Sequence, residues 1–196
     1  HFISFISLIS MLGIALGVAA LIVVLSVMNG FQTELRGRIL AVVSHVQISG
    51  ASGEMAGWER VAEQAAKHPQ VVGTAPFVQA QGMLSYGQTV RGVLVRGILP
   101  DQEDKVSDFR PHMKSGSLDT LAPDSFNIVL GSELARALGV FVGDKVTLIA
   151  PQGVVTPAGV VPRLKTFTVS GLFEVGMYEY DNGLAFIRLE DSQRLY

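Results

Sequence analysis

Phe2 to Met28 reads FISFISLISMLGIALGVAALIVVLSVM, an unbroken run of apolar and small residues whose only hydroxyls are Ser4, Ser7, Ser10 and Ser26. A helix needs about 20 such residues to cross the hydrocarbon layer of a bilayer, so residues 1–28 are predicted to form a transmembrane helix with length to spare for tilt. A secretory signal peptide is the main rival. Its apolar stretch is only about 7–15 residues, with basic residues before it and a small-residue cleavage site after it, and none of this fits well here.

Outward from that run the composition changes abruptly. No Asp, Glu, Lys or Arg precedes Glu34, so all 15 basic and 17 acidic residues of this 196-residue chain lie in the remainder. The hydrophobic share of 48% is therefore unevenly spread, and the rest of the chain has the composition of one soluble domain. Within the anchor, Gly13 and Gly17 form a GxxxG pair beside Ala15, Ala19 and Ala20. Small residues let helix backbones approach closely in lipid, which makes Gly13 and Gly17 candidate helix-packing positions. Glycine is also simply common in membrane helices.

Asn29-Gly30 carries a turn signal, yet Phe31, Leu35, Ile39 and Leu40 keep helical spacing, with Glu34, Arg36 and Arg38 as a polar face. Residues 29–44 are predicted to be an amphipathic stalk rising from the membrane surface, or else a helix packed on the domain it leads into. Arg36 and Arg38 follow the span and nothing basic precedes it, so a naive positive-inside count puts the domain in the cytoplasm. Long domains translocate largely regardless of nearby charge, and His1 suggests that a further N-terminal flank exists, so the count is set aside.

Residues 45–196 mix short periodic stretches. His45 to Ser49 alternates like a strand, and Trp58 to His68 reads as a helix stopped by Pro69. Val71 to Ala80, Met83 to Tyr86 and Thr89 to Ile98 read as strands, the last two forming a hairpin closed near Gly87-Gln88. Asn127 to Leu130 is a strand, Ser132 to Leu138 a helix ended by Gly139, and Val146 to Ile149, Thr166 to Phe173 and Leu184 to Leu189 are further strands. Met177 to Gly183 reads as a surface loop. The fold class is α+β: one transmembrane helix and stalk, then an α+β domain with an antiparallel or mixed sheet.

Catalytic signals are sparse. The chain has no cysteine, which removes disulfides, thiolate nucleophiles and thiolate metal ligands. Histidines 1, 45, 68 and 112 lack metal-ligand spacing, and no phosphate-cradling GxxxxGK[ST] loop occurs. Asp101, Glu103, Asp104 and Asp108 are dense enough to hold a cation, although a solvated loop is the simpler reading. A net charge of −2 with scattered basic residues argues against nucleic acid. No catalytic residue, metal site or cofactor is expected.

One segment stands apart. Ala150 to Lys165, APQGVVTPAGVVPRLK, carries three prolines, two glycines and four valines with no acidic residue, where a turn needs only two to five residues. Prolines 151, 157 and 162 restrict φ and remove donors, which predicts a stiff extended arm. Val154, Val155, Val160 and Val161 would give it an apolar surface of the kind that marks a partner site. A long hairpin lying on its own domain is the bland alternative.

Three sets of residues carry a family resemblance. Gly13-Ile-Ala-Leu-Gly-Val18, then Leu25-Ser-Val-Met-Asn-Gly-Phe31 with Glu34-Leu35 and Ile39-Leu40, resembles the first membrane helix of the lipoprotein-releasing permeases LolC and LolE. Ile128 to Gly131, Leu134-Ala135, Leu138 to Val140, Gly143-Asp144 and Val146 resemble the periplasmic domain shared with the wider MacB/FtsX-like permeases. Thr156-Pro157-x-Gly159-x-x-Pro162 resembles the carrier-binding hook of LolC-type subunits.

The resemblance spans the whole chain and implies a fragment lacking three later membrane helices. It implies an inner-membrane permease of a Gram-negative bacterium, with its domain in the periplasm and no catalysis of its own. Its partners would be a cytoplasmic LolD-like ATPase, a second permease (LolE-like or an identical copy), the periplasmic carrier LolA, triacylated lipoproteins and membrane lipid. On that basis Thr156, Pro157, Gly159, Val160, Val161, Pro162 and Arg163 are the expected carrier-binding residues. Val24, Met28, Phe31 and Leu35 are expected to touch lipoprotein, with helix–helix packing as the equal rival for each. The alternatives are another MacB/FtsX-like permease serving efflux or cell-wall hydrolase control, and a singly anchored periplasmic binding domain without an ATPase.

Overall fold

The computed structural model describes residues 2–42, 44, 46–50, 53–156 and 159–196, with the side chains of these except 35–42, 152, 154–156 and 159–160. The chain divides into two compact units, residues 1–40 and 41–196.

The first unit is helical. One helix, α1, runs from Phe2 to Val42. At 1.5 Å per residue it is about 62 Å long, roughly twice the hydrocarbon thickness it needs to cross. Its stretch Phe2–Glu34 is long and apolar enough to span a membrane, and every side chain along it is exposed. The turn signal at Asn29-Gly30 is overridden: the helix continues through it, and Thr33 Oγ1 donates to the Asn29 carbonyl at 2.9 Å. Residues 29–42 of the expected stalk are thus the C-terminal part of the same helix, and residue 43 lies outside the described residues.

The second unit is built on a mixed sheet whose pairing returns on itself. β1 (Phe77–Tyr86) and β2 (Thr89–Ile98) form the expected hairpin, closed by Gly87-Gln88 with Gly87 at φ 57°. β2 lies parallel to β7 (Leu184–Arg188), and β7 is antiparallel to β4 (Asn127–Gly131). β4 runs parallel to β6 (Gly159–Phe173), β6 is antiparallel to β5 (Lys145–Thr156), and β5 pairs back onto β1. Six strands therefore close into a barrel, with the short β3 (Met113–Gly116) added along the end of β6.

Alternation fills the barrel. Leu84, Val93, Val95, Ile128, Leu130, Leu148, Phe167, Val169, Ala185 and Ile187 are buried together with Leu134 and Leu138 of α4 (Ser132–Leu138) and Leu195 of α6 (Leu189–Leu195). The opposite sides of the same strands face a second cluster, where Phe109 stacks edge-on against Phe173 and Phe186 at 5.7 and 4.6 Å. The β4–β6 ladder skips Ser170 between Val169 and Gly171. Side chains alternate with period 2, so this one extra residue lets Val169 serve the inner cluster and Phe173 the outer one.

Several expectations are corrected. Residues 46–50 and 71–76 are not strand: β1 starts only at Phe77. His45 lies outside the described residues. The expected strands ending near Ile149 and beginning at Thr166 extend to Thr156 and from Gly159. Met177 to Gly183 is not a loop but contains helix α5 (Tyr178–Gly183), because Asp181 is buried and its carboxylate accepts from the Val175 and Gly176 amides at 2.8 and 3.0 Å. α5 also lies so close to Gly131 that a Cβ there would meet the Asp181 carbonyl oxygen at 2.2 Å. By contrast α4 matches its expected bounds, ended by Gly139 at φ 75°.

The acidic cluster is divided rather than convergent. Glu103 is buried against Arg96 at 3.0 Å, whereas Asp104 and Asp119 both hold Arg110, at 2.5 and 2.7 Å. The bonds from Arg110, with help from the Ser117 hydroxyl, hold the Asp119 carboxyl below its ordinary range.

Candidate partner-docking arm

β5 and β6 each have two halves. Lys145 to Ala150 pair with Arg163 to Thr168 inside the barrel, and β1 flanks Thr147 to Ile149 on the other side. Leu148, Ala150, Phe167 and Val169 from this half are buried, which clamps the root of the hairpin. Beyond Ala150 the register breaks, then resumes as Val154↔Val161, Val155↔Val160 and Thr156↔Gly159. Among the described residues, this outer half pairs only with itself.

The prolines explain where the break falls. Three residues of β5, Pro151, Gln152 and Gly153, face one of β6, Pro162. Neither Pro151 nor Pro162 can donate to a ladder, and both sit where no ladder bond is required. The bulge bends the ribbon between its buried root and its outer half. The stiff arm expected near residues 150–165 takes the form of a β-ribbon that keeps its pairing beyond the prolines.

The expected carrier-binding residues differ in what is described of them. Val161, Pro162 and Arg163 are exposed, as is Leu164. Thr156, Gly159 and Val160 are described for the backbone only, and Pro157 lies outside the described residues. Arg163 turns back at the root, its Nη1 donating to the Leu195 carbonyl at 3.3 Å. Lys165 Nζ lies 3.5 Å from the centre of the Phe126 ring, a cation–π contact that steadies the same root. Beside them the Tyr196 hydroxyl is buried without a hydrogen-bond partner, and burial pushes the phenol up to about 12. Leu164 is not singled out by sequence, although its alternation with buried Phe167 and Val169 across Thr166 offers a hint that it faces outward.

On α1, Gly13, Gly17, Val24, Met28, Phe31 and Leu35 share one stripe because the helix is continuous. Their spacing of 3, 4 or 7 keeps them on one face. A Cβ at Gly13 or Gly17 would meet nothing within 4 Å, and Val24, Met28 and Phe31 are exposed. Only the backbone of Leu35 is described.

A helix of membrane-crossing length followed by a mixed barrel with a β-arm defines the class as a membrane protein with a folded domain outside the span. More particularly, residues 7–196 match the MacB-like periplasmic core domain, and the chain belongs to that family. It is 49% identical over 195 residues to the lipoprotein-releasing system transmembrane protein LolC of Neisseria meningitidis serogroup B, covering 100% of this chain and 47% of that protein. The LolC of Xylella fastidiosa is 48% identical, with 99% and 47% coverage. LolE of Haemophilus influenzae is 39% identical over 73% of this chain and 35% of its own. The chain thus spans about half the length of the curated relatives it matches.

Proposed function

We propose that this chain is the N-terminal part of a LolC-type permease subunit in an ABC-type lipoprotein-releasing complex of the inner membrane. The complex extracts lipoproteins bound for the outer membrane and passes them to the carrier LolA. The observation that carries this reading is the β5–β6 arm, stiffened by Pro151 and Pro162 and free of acidic residues. The identity to LolC over the whole chain supports it.

The physical task explains the division of labour. Each buried CH2 contributes about 0.8 kcal/mol, so withdrawing one 16-carbon chain from the bilayer costs on the order of 12 kcal/mol. Spontaneous release of three chains is therefore too slow to be useful. A cytoplasmic LolD-like ATPase supplies the work, and a second permease, LolE-like or an identical copy, completes the path. The α1 stripe from Val24 to Leu35 lines that path. A carrier already docked on the arm receives the acyl chains without exposure to water.

Replacing Thr156 to Pro162 with a Gly/Ser turn tests the arm. Carrier binding, measured by co-purification or interferometry with the assembled complex, should be lost while the complex stays intact. Unchanged binding would sink the assignment.

A further inference from the structure

The loop at residues 121–126, which leads into β4, holds two non-glycine residues in the left-handed region: Asp124 at φ 57° and Phe126 at φ 47°. Aspartate tolerates that conformation, but a bulky aromatic residue is strained there. Such strain persists only where the surroundings over-determine the backbone. Here they do. The Thr168 amide donates to the Phe126 carbonyl at 2.9 Å, Phe167 meets the Phe126 ring edge-on at 6.1 Å, and Lys165 Nζ lies 3.5 Å from the ring centre. All three partners belong to β6, at the root of the arm.

The same loop is fastened to α6. Asp124 is ion-paired with Arg194, and the next residue of the helix, Leu195, is buried in the barrel core. The Leu195 carbonyl accepts from Arg163 Nη1 at 3.3 Å. It belongs to the last turn of α6, where helix carbonyls lack intrahelical partners and a cation is favoured. Arg163 faces Ala150 in the last pair before the ladder breaks, so it stands at the elbow between the root and the outer half. The contacts close a triangle: arm root to α6 through Arg163, α6 to loop through Arg194, and loop back to arm root through Phe126. A lone two-stranded ribbon has little rigidity of its own, and among the described residues the outer half pairs only with itself.

We infer that the 121–126 loop and α6 form a brace that fixes the direction of the arm, with Phe126, Asp124, Arg194 and Arg163 as positioning residues. Its use rests on the docking role proposed for the arm. A fixed direction raises the fraction of molecules ready to receive the carrier, and apparent affinity follows that fraction. Asp124 and Arg194 then govern docking without touching the carrier, and Arg163 acts through the elbow.

The test uses the full-length permease in its assembled complex in nanodiscs, with Asp124→Asn, Arg194→Gln and the two together. Their side chains are 67% and 60% exposed, and asparagine tolerates the left-handed backbone, so folding is preserved. Spin labels at Val161→Cys on the outer half and Tyr178→Cys on α5, in a background without other cysteines, give the arm's direction as a distance distribution with no carrier present. Carrier affinity is titrated on unlabelled protein. Each single change should widen the distribution roughly twofold and weaken carrier binding about threefold, the reach of one exposed ion pair. The double change should do no more than either single, because both act through the same pair. Arg163→Ala should widen the distribution likewise, and Arg163→Lys, which keeps a donor, should narrow it again. Unchanged distributions overturn the inference. So does weaker binding with unchanged distributions, which marks a direct contact, and so does a widened arm that binds the carrier as before. A carrier that fails to bind the unaltered complex refutes the docking role instead, and the distributions alone then decide the brace.

Discussion

The inner and outer halves of the β5–β6 hairpin are made from the same two strands yet obey different rules. In the inner half each residue has a sheet neighbour on one or both sides, and Leu148, Ala150, Phe167 and Val169 are nearly inaccessible. In the outer half the ladder has a bulge, and Val161 and Pro162 on β6 stand in solvent. Burial makes the inner half a determinant of stability. Exposure frees the outer half to be selected for contact. The exposed Val161 and Pro162 gain little from packing, which fits the partner surface proposed for the arm.

The sharpest way to break this comparison is Phe167→Ala. It removes a ring that packs at 6.1 Å against Phe126 in the barrel, and it should lower domain stability by about 3–5 kcal/mol. Chemical denaturation of the purified chain in detergent measures it. A loss below about 1 kcal/mol would mean that the root is not the rigid base described.

The converse change is Val161→Asp, on an outer-half side chain 53% exposed. Stability should stay within about 0.5 kcal/mol of wild type, as for other surface substitutions. Carrier binding should weaken at least tenfold, about 1.4 kcal/mol, measured by titration of the assembled complex. Equal binding would confine the docking surface to the tip. A large loss of stability would erase the distinction between the two halves.

The smallest effect concerns Asp191 at the end of the barrel. Its carboxylate is buried with neither oxygen hydrogen-bonded; burial raises its pKa, and nearby Arg194 only partly offsets this. In the folded state the acid holds its proton to higher pH than in the unfolded chain. Stability therefore falls as pH rises from the ordinary carboxylate range, near about 3.9, through the raised folded value. Asp191→Asn should raise the melting temperature modestly at pH 7, and the gain should shrink as pH is lowered toward 4. A gain that is the same at both values would show that the carboxylate's charge is not the cause.

Much of the second unit is legible in the sequence, and the reasons are local. Gly139 and Gly87 adopt positive φ, and glycine at these positions marks the end of α4 and the β1–β2 turn. The arm is visible as a segment too long and too proline-rich for a turn. Its two-residue displacement at Pro151 and Pro162 is not, because a bulge depends on what the opposite strand does. Arg163 shows the limit at a single residue. Its type and position suggest a partner contact, whereas its observed bond goes to Leu195, 32 positions away.

By itself, the sequence determined the anchor, since spanning a bilayer depends only on the length and apolarity of one stretch. It also determined the α+β class and the presence of the arm, through periodicity and composition. Only the tertiary structure decided that six strands close into a barrel, that skipping Ser170 sends Val169 and Phe173 to different clusters, and that Asp181 folds Met177 to Gly183 into a helix. Among the described residues, it alone left 46–49 and 72–76 outside any ladder. Strand pairing and buried capping are made between residues far apart in the chain, so local preference cannot choose among them until the whole core is packed.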